Sequence, residues 1–136
     1  MNIRFACLND LERCLELDLH KKKERIKNKI INNEVIVCNI DKDIVACLKI
    51  EYIWTHVPFI SYIVVDKNFK NKNISRKLLD FLKEFLKSRG YNYLLSSTMT
   101  NAISSQNWHI HMGFKECGFI SSVNSGIGEV FYILKF

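Results

Sequence analysis

The chain has 136 residues, 48% hydrophobic and 25% charged, with a formal net charge of +6. That length suits one domain with a real core, so residues 1–136 are expected to fold as a single unit. No run of roughly 18 apolar residues occurs and MNIRFACLND has no signal-peptide core, so neither a membrane span nor secretion is expected.

Residues 2–6 read as a short strand. Asn9 then reads as the cap of a helix to about Leu19, with Glu12 placed for a capping box. A second, polar helix begins at His20 and carries Ile26, Ile30 and Ile31. Residues 34–40 and 44–54 are two strands joined by the turn Asp41-Lys42-Asp43, hence a hairpin. Residues 55–58 interrupt the run, and the only proline, Pro58, suits the start or edge of a strand. A β-branched apolar strand follows at 59–65, then a polar turn at 66–73. Ile74, Leu78, Leu82 and Phe85, widened by Leu79 and Leu86, mark the apolar face of a long helix. A strand at 91–99, a helix at 104–112 and closing strands at 114–123 and 129–136 complete a mixed α/β (α+β) pattern. Its order is β-α-α-β-β-β-α-β-α-β-β, without repeats or linkers. The five cysteines stand singly and form no CxxC pair, so neither a disulfide framework nor a metal site is indicated. A reducing, cytoplasmic location is the expectation.

Chemistry concentrates between Asp66 and Gly90. Eight Lys and Arg against three Asp and Glu give this stretch a net +5, most of the charge of the chain. A strand, a cationic turn and a helix start together make an anion site, because turn N–H groups converge and the helix N-terminus adds partial positive charge. Each lysine is also an ordinary solvated side chain on the alternative reading. The high positive charge raises the question of nucleic acid. It lies on one turn and helix, and no nucleic-acid motif accompanies it, so no such partner is expected.

Residues Val65 to Leu79, VDKNFKNKNISRKLL, resemble the acetyl-CoA loop of the GNAT superfamily of N-acetyltransferases. Val65, Phe69, Ile74, Leu78 and Leu79 fit that pattern. Lys70 replaces Arg or Gln, Lys67 replaces proline, Asn73 replaces a glycine and Ser75 replaces a second small residue. Asn tolerates positive φ better than other non-glycine residues, so Asn73 is expected to make the glycine-like turn. A second segment, Thr100 to Phe114, resembles the family's Asn-…-Tyr-x-x-x-Gly-Phe stretch through Asn101, Ser105, Trp108 and Gly113-Phe114, with His109 in the tyrosine position.

The resemblance implies a mostly antiparallel central sheet flanked by about four helices. It also implies transfer of acetyl from acetyl-CoA to a primary amine by direct attack in a ternary complex, with no metal. Lys70, Asn71, Lys72, Asn73, Ile74, Ser75 and Arg76 are the implied pyrophosphate cradle. Backbone N–H of Val64 or Val65 is the implied donor to the thioester oxygen, and Asn101 and Asn107 the implied partners of the pantetheine amides. His109 is the candidate proton donor to the leaving sulfur, its ordinary pKa of about 6.5 suiting that role; the competing reading is a histidine packed on a helix face. Glu51, interrupting an apolar strand, is the candidate base, with a water relay as the alternative. Tyr52, Trp54 and His56 are candidates for the acceptor pocket or for plain strand packing. The expected partner is a small-molecule or peptide amine, and the chain a monomer or homodimer. The alternative function is an acyl-CoA-binding sensor without turnover.

Overall fold

A computed structural model describes residues 1–70 and 73–136. The strands are β1 (Asn2–Phe5), β2 (Val35–Ile40), β3 (Asp43–Ile53), β4 (Val57–Val65), β5 (Tyr93–Met99), β6 (Lys115–Asn124) and β7 (Ile127–Lys135). The helices are α1 (Leu11–Leu17), α2 (Lys23–Ile31), α3 (Ile74–Ser88) and α4 (Ile103–His111). One seven-stranded sheet runs β1-β2-β3-β4-β5-β7-β6. Its neighbours are antiparallel except β4 and β5, where α3 makes the crossover that a parallel pair requires. None of the helices described is long and apolar enough to cross a membrane.

The pattern of α3 decides which face it buries. Ile74, Leu78, Leu79, Leu82 and Leu86 are buried, and they meet Ile36, Leu48, Ile50, Ile60 and Leu94 from the sheet. Phe85 stays half exposed and packs edge-on against Phe5, ring centroids 4.9 Å apart. Trp108 and Met112 bring α4 onto the same face. On the opposite face Cys14, Ile26 and Ile30 of α1 and α2 cover Val35, Val37, Ile44 and Cys47 of β2 and β3.

The entry to α1 differs from the expected Asn9 cap. Residues Leu8–Asp10 form a 3-10 turn with Cys7 at its N-cap, and α1 follows from Leu11 without a side-chain cap bond of its own, so the capping carboxylate here is Asp10, reaching back to Cys7. Asp10 Oδ2 accepts the Cys7 N–H at 2.8 Å and pairs with Arg4 of β1 at 2.7 Å. One side chain thus caps the 3-10 turn and ties it to β1, which Asn9 has no charge to do. Asp10→Ala is expected to cost about 1–2 kcal/mol, in the range of lost helix caps. Asn9→Ala should stay within about 0.5 kcal/mol, as surface substitutions do. Urea unfolding of the two variants checks this, and equal losses would return the cap to Asn9.

Candidate active site

The site begins where two strands part. β4 and β5 pair only at Phe59–Leu95 and Ile60–Ser96. Beyond Ile60, β4 remains bonded to β3 alone. The β3–β4 register slips between Lys49 and Ile50, leaving Ser61 as an extra residue on β4. Such a bulge bends the strand that carries it and turns it away from its partner.

The ladder also says which backbone groups face the gap. The Asp66 N–H donates to the Val45 carbonyl at 2.8 Å. Ala46–Val65 is therefore a pair without mutual hydrogen bonds, and in an antiparallel ladder such pairs alternate with bonded ones. It follows that Ile63 and Val65 turn their N–H and C=O into the gap, while Val64 spends its own on β3. Of the two expected backbone donors, the Val65 N–H faces the gap and the Val64 N–H faces β3. Ile63 joins Val65. Nothing in the side chains could have announced this, because the direction depends on where the bulge falls.

The gap opens into a cavity of about 750 Å³, walled by Ile63, Val64 and Val65 of β4, by Phe69, Lys70 and Asn73, by Ile74 and Ser75 of α3, and by residues 102–105 and Trp108 at α4. Asn73 precedes α3 in the left-handed region at φ 58°, ψ 23°, the glycine-like turn expected of it. The α3 N-terminus therefore opens on this cavity, with Lys70 beside it. Trp108 Nε1 donates to Ser75 Oγ at 3.0 Å and locks α4 against the first turn of α3. Arg13 of α1 holds the other end of the loop. Its Nη2 meets Asp66 at 2.8 Å and its Nε donates to the Ile44 carbonyl at 2.9 Å. Asp66 in turn accepts the Asn68 N–H at 2.9 Å, and that bond, with Arg13, holds its carboxyl below the usual range. Ile74 is buried and Arg76 is exposed, outside the cavity lining. Asn71 and Lys72 of the expected cradle lie outside the described residues.

Helix α4 corrects three expectations. Asn101 and Asn107 are exposed and do not line the cavity. The polar groups that α4 presents there are Ser104 and Ser105. His109 turns into the core, stacked on Tyr132 with centroids 4.6 Å apart. Its Nδ1 lies 2.7 Å from the Ser105 carbonyl, a pure acceptor, so Nδ1 carries the proton. Nε2 then accepts from the Ser96 hydroxyl at 2.7 Å. Both nitrogens are engaged away from the cavity, and burial pushes the imidazole below its ordinary pKa. This is the packed histidine of the competing reading. Imidazole reaches less far than a tyrosine side chain, and its bond to Ser96 holds it in the core.

On β3, Glu51 is exposed opposite Phe59, four residues along the strand from the Val64 partner Cys47, or about 13 Å. It shares no wall with the cavity. Trp54 and His56 sit at the β3–β4 hairpin, at the far end of β4, and Tyr52 packs near Tyr91 with centroids 6.2 Å apart. None of the three borders the gap.

The acetyltransferase (GNAT) family model matches residues 5–114, and the chain belongs to that family. The fold is shared with solved structures. A GNAT-family acetyltransferase from Bacillus cereus superposes with a TM-score of 0.84 at 20% identity, over 98% of this chain and 96% of that one. A ribosomal-protein-alanine N-acetyltransferase from Brucella melitensis gives 0.83 at 20% identity, covering both chains completely (100% and 100%). The protein yncA of Salmonella typhimurium, solved with its cofactor acetyl-CoA, gives 0.84 at 16% identity, over 99% and 93%. No curated protein matches the chain by sequence.

The buried His109 sets a pH dependence with a definite sign. Unfolded, the ring takes up a proton as pH falls through its ordinary value of 6.5; folded, burial resists that proton. The unfolded state then binds more protons, so stability falls as pH drops below about 6.5. Urea unfolding between about pH 7.5 and about pH 5.5 should show that slope, and His109→Gln should flatten it. Asp10, held low by Arg4, adds its own loss only below the ordinary carboxylate value of 3.8. An unchanged slope in the variant would return the ring to solvent and reopen its role at the cavity.

Proposed function

We propose that this chain is an acetyl-CoA-dependent N-acetyltransferase that passes acetyl to a primary amine by direct attack in a ternary complex. One observation carries the reading. The unpaired backbone of Ile63 and Val65 leads directly to the N-terminus of α3, so one cavity offers an extended polar strand edge and an anion site in sequence. A long amide-bearing arm ending in pyrophosphate has that layout.

The residues present fit such a cofactor. Buried backbone N–H and C=O groups need partners, and those of Ile63 and Val65 have none from β5. Asn73 supplies the left-handed turn without glycine. Lys70 and the helix terminus balance phosphate charge, Lys70 as a point charge in place of the planar fork of an arginine. Ser104 and Ser105 are the side-chain candidates for the pantetheine amides, in place of Asn101 and Asn107.

Bound there, acetyl-CoA supplies an activated acetyl thioester. The part played by the chain is to hold and orient it: Val65 or Ile63 N–H donates to an oxygen in the gap, and the helix terminus fixes the phosphates. Fixed donors of this kind in a site shielded from water stabilise developing negative charge without reorganising. No general acid is assigned to His109. Proton removal from the incoming ammonium is left to water on the solvent side of the gap, with Glu51 too far along β3 to touch it.

A second reading, an acyl-CoA sensor without turnover, draws on that same withdrawal of His109 from the cavity. The two are separated by one pair of measurements. Calorimetric titration should give selective one-to-one binding of acetyl-CoA over ATP, and roughly 100-fold excess over Kd should stabilise the fold by about 2.7 kcal/mol. Asn73→Gly should tighten binding by relieving the left-handed strain, and Asn73→Val should weaken it, since a β-branched residue resists positive φ. Thiol release with primary amines then selects the enzyme. Binding without release across a broad amine panel selects the sensor, and no selective binding removes both.

A further inference from the structure

The gap between β4 and β5 lies within the sheet, where pairing stops after Ile60–Ser96, so both faces border it. On one face α3 and α4 wall it. On the other, the cluster built by α1 and α2 contains no residue of β5 or β7. The strand register shows what stands uncovered there. Glu51 faces Phe59, Phe59 faces Leu95, Ser97 faces Phe131 and Met99 faces Glu129, and residues directly opposite in a ladder project from the same face. Phe59, Ser97, Phe131 and Glu129 are all half-buried rather than covered. Phe59 and Phe131 stack with centroids 5.9 Å apart.

Glu129 is braced in this setting. Its Oε2 accepts from Ser97 Oγ at 2.6 Å and its Oε1 from Asn124 Nδ2 at 2.8 Å. A carboxylate offers about four lone-pair sites, so two bonds leave it able to accept more. Among the described residues no Lys or Arg forms an ion pair with it. Ser97 follows Ser96, the partner of Ile60 in the last β4–β5 rung, so the carboxylate stands beside the mouth of the gap.

We propose that Glu129 binds the ammonium of the acceptor at the open face of the gap while the Phe59–Phe131 pair takes its apolar body. The inference rests on the acetyltransferase reading and names its substrate class: a primary amine carried on an aryl or alkyl chain, with no carboxylate beside the nitrogen. An ammonium near the ring pair gains from the carboxylate and from the ring faces alike. A carboxylate in the same place would meet Glu129 at a cost in repulsion.

The test uses 2-phenylethylamine, L-phenylalanine and 2-phenylethanol, titrated by calorimetry into protein saturated with coenzyme A. The amine is expected to bind, and the amino acid and the alcohol to bind about tenfold more weakly or worse, a difference of about 1.4 kcal/mol. Glu129→Gln should weaken the amine by a similar factor and leave the alcohol and the acetyl-CoA titration unchanged. Glu84→Gln, an exposed charge on α3, should change nothing. Equal binding of amine and amino acid by the wild type, absence of amine binding, or an unaltered amine affinity in Glu129→Gln would overturn the proposal. Should that variant fail to fold, the comparison of amine with alcohol on the wild type decides. Failure of acetyl-CoA to bind would instead overturn the acetyltransferase reading, and the parallel titration reads it separately.

Discussion

The parting of β4 from β5 after two rungs is the constraint from which the rest of the site follows. A central strand normally spends its backbone on both neighbours. Here the second half of β4 spends half of its own on β3 and leaves Ile63 and Val65 facing a cavity. Leaving such groups dry costs on the order of 1–3 kcal/mol each. The fold tolerates this because the opposite edge of β4 is fully bonded and because α3 packs five buried side chains beneath it. The bulge at Ser61 supplies the bend. What in an ordinary sheet would be a defect is here a row of oriented donors and acceptors that opens on the cavity.

The two ends of the loop after β4 are pinned independently. Arg13 and the Val45 carbonyl hold Asp66, and the Trp108–Ser75 bond holds the start of α3. Between them, Asn73 adopts the left-handed conformation from which α3 begins. Pinning from α1 on one side and α4 on the other ties both helices to this loop. Side-chain anchors thus flank a stretch that contains no glycine.

Legibility in the sequence tracks locality. The alternation of strands and helices was readable because apolar spacing is local, and α3 lies where its Leu and Ile positions place it. The left-handed Asn73 was readable because Asn has that tendency by itself. The direction of the Val64, Val65 and Ile63 N–H groups was not, since it depends on a register slip against Lys49 and Ile50. Glu129 was equally hidden: only the β5–β7 register puts it on the same face as Phe59 and Phe131. Glu51 drew notice by interrupting an apolar strand, yet an exposed position on the uncovered face accounts for that interruption.

His109 shows how a position can match a pattern while its chemistry changes. Ser96 is buried on the core side of β5, and an unpartnered hydroxyl there would be costly. The imidazole satisfies it, bonds the Ser105 carbonyl with its other nitrogen, and fills the space over Tyr132. A ring so engaged cannot also reach the cavity. For the proposed reaction this matters little, because a thiol of ordinary pKa near 8.5 leaves as a weak base and gains less from a proton donor than an alkoxide or amide would. The proposed acetyl transfer would therefore lean on fixed backbone donors and a helix terminus, with the histidine spent on the core that holds them in place.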